Sequence, residues 1–162
     1  MVRNCGELGL DLQKIMKRLL ANQNLLKYLY YTDKDPLSGA DLSDEQIRNN
    51  ITEKLIKIIP RVGPKDTAQS LIALRVVQGS RNRDNLDFND IVIQIEVFVP
   101  MTQWIIKDTN LRPFAIIGEV QNSLDNKIIN GMGRLTGGDF ALNFLTDEIS
   151  CYEITYRVVE YE

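Results

Sequence analysis

The sequence predicts an α+β fold: N-terminal helices followed by an antiparallel or mixed sheet of two hairpins with a helix packed across it, a β-β-α-β-β core. Three observations carry that prediction. Apolar residues recur at helical spacing through the first third of the chain. The period then switches to two at residues 90–99. A proline-initiated helical pattern at 112–124 then separates one pair of β-rich segments from the next.

Leu12, Ile15, Met16, Leu19, Leu20, Leu26 and Tyr30 follow the i, i+3, i+4, i+7 rhythm of an amphipathic helix, and Gln23 and Asn24 interrupt it as a bend. Residues 32–42 (TDKDPLSGADL) form a connector of turn-prone residues, and the carboxylates Asp33, Asp35, Asp41, Asp44 and Glu45 cluster in it and at the following helix N-terminus, where the helix dipole favours them. Ser43, followed three residues later by Gln46, is a capping box. The stripe Ile47, Ile51, Leu55 and Ile58 then predicts a second helix, ended by Pro60.

The alternation of Ile91, Ile93, Ile95, Val97 and Val99 with more polar neighbours predicts a half-buried strand. Residues 71–78 alternate likewise, and the pair reads as a hairpin with an extended polar tip at 79–89 (GSRNRDNLDFN). Phe114, Ile117, Val120 and Leu124 share the face of the 112–124 helix, residues 126–131 are turn chemistry, and strands are expected at 139–145 and 151–161. The chain reads as one domain over 1–162, with a helical part at 1–59 and the β-β-α-β-β core at 60–162.

Composition narrows the chemistry. With no histidine in 162 residues, imidazole acid–base catalysis and imidazole metal ligation are excluded. A net charge of −3 gives no global attraction for nucleic acid. Cys5 and Cys151 are far apart, without metal-type spacing, and fit a reducing compartment; Cys151, inside an apolar strand, reads as a small core residue. The polar start of the chain does not read as a secretory signal, and no apolar run is long enough to span a membrane.

The most tempting motif is Gly137-Gly138-Asp139-Phe140, which resembles the GGDEF signature of diguanylate cyclases. The glutamate between Asp and Phe is missing, and nucleotidyl transfer of that type needs several carboxylates converging on metal ions. The expectation is therefore an inert glycine-rich turn into a strand. A small nucleotide-handling enzyme built around Asp139 stands as the alternative from a different class. Ser, Thr and Cys have no histidine to activate them, the glycines do not form a Walker or Rossmann pattern, and Asp33 and Asp35 run into Pro36 without calcium-loop spacing. No catalytic residue, metal ligand or cofactor is expected. Trp104 is read as a core anchor. The candidate site is the long hairpin tip, where Arg81 and Arg83 stand beside Asp84 and Asp87: an exposed tip of mixed charge is ordinarily just solvated, and the alternative is an assembly loop that docks on a neighbouring subunit or lines a channel.

The element order and the segments DIVIQIEV (90–97) with Trp104, RPFAII (112–117), GMGRL (131–135) and YEITY (152–156) resemble the neck and tail-completion proteins of tailed bacteriophages, especially tail terminators. The resemblance covers residues 60–162. It implies a non-enzymatic virion protein, made in the host cytoplasm, that forms a ring (usually a hexamer) through sheet and loop contacts. It also implies contacts with the tail tube protein and head-completion proteins, a lumen for DNA passage, and no membrane. A head-closure or stopper protein is the alternative within the same class.

Overall fold

In the computed structural model, residues 5–58, 68–81 and 88–159 are described. The N-terminal stripe is realised as two helices, α1 (Leu8–Leu20) and α2 (Gln23–Tyr30). The chain breaks at Asn22, which is extended (φ −96°, ψ 99°) and whose side-chain oxygen accepts the Leu25 N–H as an N-cap. The same carboxamide donates to Glu119 and Ser123, so the break is pinned from outside. Ile15, Leu19, Leu25, Leu26 and Leu29 are fully buried.

The Ser43–Gln46 capping box forms in both directions and starts a short helix, α3 (Asp44–Gln46). The expected helix to residue 58 does not follow. The coil widens into a π-turn over Ile47–Ile51 and stops at Thr52, after which Glu53 sits in the left-handed region (φ 59°). Asn49, Asn50, Ile51 and Thr52 are all weak helix formers, and tertiary packing takes the stripe another way. Ile51, Leu55 and Ile56 are buried through a turn and a two-residue strand, β1 (Ile56–Lys57). Pro60 lies outside the described residues.

Five more strands follow: β2 (Leu71–Arg81), β3 (Phe88–Pro100), β4 (Ile128–Ile129), β5 (Gly133–Leu145) and β6 (Ile149–Val159). They form one sheet in the order β1-β2-β3-β6-β5-β4, parallel only between β1 and β2. The first hairpin is longer than its polar residues suggested, because β2 runs on to Arg81 and β3 begins at Phe88. The last hairpin begins at Gly133 rather than at 139, so Gly137-Gly138 lies inside a strand and not in a turn before one.

The helix α4 (Arg112–Leu124), with Pro113 in its first turn, crosses one face of the sheet beside α1 and α2. Ile91, Ile93, Ile95, Val97 and Val99 point under these helices and are all buried, as are their β6 partners Ile154, Tyr156 and Val158. The opposite face is not simply solvated. Val92, Glu96 and Phe98 are buried too, and a polar ladder crosses three strands: Arg75 Nε donates to Gln94 (2.8 Å) and Gln94 to Glu153 (2.6 Å), while Arg75 pairs with Glu96. The strand read as half-buried is therefore covered on both sides along most of its length.

Candidate functional site

Strand β5 presents a long edge without a strand neighbour among the described residues. Its inner edge pairs with β6 from Arg134 to Leu145, but β4 covers its outer edge only at Gly133 and Arg134, and Leu135 bonds to the preceding turn. Residues 139–145 have no strand on that side among the described residues. Seven extended residues make an open edge about 23 Å long. It is also apolar: Phe140, Leu142, Phe144 and Leu145 are 49%, 52%, 41% and 54% exposed. Monomeric proteins usually blunt such edges with charge, proline or cover, because unpaired N–H and C=O rows recruit other strands.

The exposed side chains rest on a built surface. Phe114 of α4 packs on Phe140 (ring centroids 6.0 Å apart) and edge-on to Tyr152 (5.3 Å), and Trp104 meets Tyr152 at 6.4 Å. The expected core anchor Trp104 is thus partly buried at the base of an aromatic cluster that continues to the open edge. On the other face Phe144 lies 6.1 Å from Phe98.

The opposite side of the sheet offers a second unpaired stretch. β1 covers the outer edge of β2 only at Ile72 and Ala73, leaving residues 76–80, paired with β3 on their inner edge, without a strand on the outer side among the described residues. Val77 is 50% exposed there. Through the intervening strands, β2 and β5 run antiparallel to each other.

The Gly-Gly-Asp-Phe segment is a β-bulge. Gly137 pairs with Tyr156 and Asp139 with Thr155, so Gly138 is the extra residue. Both glycines have positive φ (110° and 87°). A Cβ on Gly138 would come 2.6 Å from Asp125 Oδ1 and 3.2 Å from the Tyr156 hydroxyl. The glycine leaves room for Tyr156 O–H to donate to Asp125, and Gln121 Nε2 donates to the Gly138 carbonyl (2.9 Å). Burial, with Asp125 alongside, pushes the Tyr156 phenol far above its ordinary range. Asp139 itself is exposed, and no group of three metal-ligating side chains gathers among the described residues. The motif docks α4 on the sheet.

Cys151 is fully buried on the face opposite the helices. Burial pushes its thiol up to about 11, with Glu153 adding to the rise and Asn143 and Arg75 opposing it, so it is a neutral core group. Arg81 ends β2 in its backbone, but its side chain and the whole of Arg83, Asp84 and Asp87 lie outside the described residues. The expected tip contact therefore has no described geometry.

One residue that sequence reasoning passed over organises the scaffold. Arg112 is completely buried and donates to four carbonyls: Gln103 (2.9 Å), Tyr28 (2.6 Å), Tyr31 (2.8 Å) and Asp33 (2.5 Å). It places a cation at the C-terminal end of α2, where the helix dipole favours one. Burial pulls its pKa below the usual arginine value, with Asp33 and Tyr28 resisting. A charged residue just before Pro113 was the available signal.

No helix among the described residues is long and apolar enough to cross a membrane. No curated protein matches the chain. The profile of the YomW family, a phage-derived family, matches residues 22–158, from the α1–α2 break through nearly all of the last strand. The chain belongs to the YomW family.

Proposed function

We propose that this chain is a non-enzymatic structural component of a tailed-phage particle, a tail terminator that closes into a ring, six-membered in this reading, at the head–tail junction. The observation that carries the reading is the unpaired apolar edge of β5 at residues 139–145. Covering the exposed halves of its four large side chains is worth about 3–6 kcal/mol before the costs of association are subtracted. The second open edge, on β2, makes a head-to-tail contact available. Because β2 and β5 are antiparallel, β5 of one copy beside β2 of the next continues the alternation of the sheet. Such a heterologous contact gives a ring when its rotation closes. The tail tube and head-completion proteins are then partners above and below the ring. The membership in a phage-derived family supports the setting.

The test is native mass spectrometry with negative-stain microscopy of the full chain and of Leu142→Lys. A single closed oligomer in the wild type, lost in a folded Leu142→Lys monomer, is the expected result. A wild-type monomer at every concentration, or rings indifferent to Leu142→Lys, refutes the reading.

A further inference from the structure

A concavity of about 840 Å³ lies between the C-terminal half of α1, the start of α2 and the junction of α4 with β4. Lys14, Lys17 and Arg18 of α1 and Lys127 of the turn before β4 line it, with the carboxamides of Asn122 and Asn130. No carboxylate and no aromatic ring is among the described lining residues. In a chain of net charge −3, four cations converging on one concave surface concentrate a positive field that the molecule as a whole lacks.

The cations are held in different ways. Arg18 Nε donates to the Ser123 carbonyl (3.1 Å), which fixes the guanidinium against the wall. Lys14 lies 3.3 Å from the buried Asp11 and reaches toward the β4–β5 turn, where a Cβ on Gly131 would stand 3.0 Å from its ammonium. Lys17 and Lys127 make no ion pair among the described residues. Of the nearby acids, Asp11 is engaged by Lys14, and Glu119 accepts from Asn22 (2.9 Å). The surface therefore has two uncommitted ammonium groups, a fixed guanidinium and amide donors.

We infer that this groove binds the phosphodiester backbone of duplex nucleic acid without reading its sequence. Lysine, arginine and asparagine donors are the groups that contact phosphate and sugar oxygens. Lys14 lies about one helical turn before the consecutive pair Lys17 and Arg18, so α1 presents charge at two levels along the groove to a polyanion that repeats along its length. The absence of an aromatic ring from the described wall removes the stacking platform that single-strand binders use. The inference stands independently of ring closure, because it uses neither open strand edge.

The test is fluorescence anisotropy of the full chain with a labelled duplex of random sequence, over a series of salt concentrations. Three or four engaged cations give a slope of log K against log salt of about −3. Lys17→Glu combined with Lys127→Glu should weaken binding at least ~10-fold and flatten the slope by about 2. Lys54→Glu, which changes an exposed lysine outside the groove, should shift binding less than ~3-fold under the same screening. Thermal melts of the three proteins check that each is folded. The inference is overturned by an absence of duplex binding at low salt, by equal weakening in the groove and control variants, or by preference for a labelled single strand. Polyglutamate of matched charge competing as well as the duplex also overturns it, and makes the groove a site for an acidic protein segment.

Discussion

Replacing Arg112 with methionine removes a buried cation of similar length and leaves its four carbonyl acceptors in place. The carbonyls of Tyr28 and Gln103 are bonded in buried surroundings, and leaving such acceptors unsatisfied costs about 1–3 kcal/mol each. Those of Tyr31 and Asp33 are partly accessible and regain water at little cost. Removing a desolvated charge returns part of the loss, which brings the net to about 2–4 kcal/mol. For a chain of this size that lowers the melting temperature by about 5–15 °C. Arg112→Lys keeps the charge but loses the planar fork, which cannot be replaced by one ammonium serving four acceptors, and should recover less than half of the stability. Urea titrations of the three proteins measure this. A loss below about 1 kcal/mol for Arg112→Met contradicts the assignment of this guanidinium as the pin between α2 and the 101–104 turn.

Further outcomes follow from the same packing. Ile95→Ala, at the buried centre of β3, should cost about 2–5 kcal/mol in chemical denaturation, and a loss under half a kcal/mol would contradict the two-layer core. Gly138→Ala should cost about 1–3 kcal/mol by forcing a Cβ against Asp125 and Tyr156 at positive φ, whereas Asp139→Ala should be near neutral and bind no GTP differently from wild type. Cys151 keeps its proton in the folded state up to about 11 but titrates near 9.0 when unfolded. Stability should therefore fall as pH rises from 9 to 11, with Tyr156 acting in the same direction, and Cys151→Ala should lessen that fall in melts across the range.

How much was legible in the sequence differs by element. Periodicity placed α4 at its observed bounds and put Ile91 to Val99 on one buried face, because both signals repeat over many residues. It misread 47–58, where a single apolar stripe is satisfied equally by a helix or by a π-turn followed by a short parallel strand, and only the position of β2 decides between them. The glycine pair at 137–138 reads as a turn in the sequence because local chemistry cannot distinguish a turn from a bulge whose role is to admit the Tyr156–Asp125 contact. The alternation of Phe140, Leu142 and Phe144 marked β5 as a strand but carried no sign of its being at an edge, which depends on β4 ending after two residues. The basic groove was equally hidden, since Lys127 joins the α1 cations only through the packing of α4 beside α1.

The most direct test of the account is amide hydrogen exchange at residues 139–145, followed as protein concentration rises through the range in which mass measurements detect assembly. The open edge should exchange quickly in dilute protein and become protected in step with oligomer formation, while the amides of β3, already paired on both sides, stay protected throughout. Exchange at 139–145 that remains equally fast when the oligomer is fully populated would contradict the central claim that this edge is where one copy meets the next.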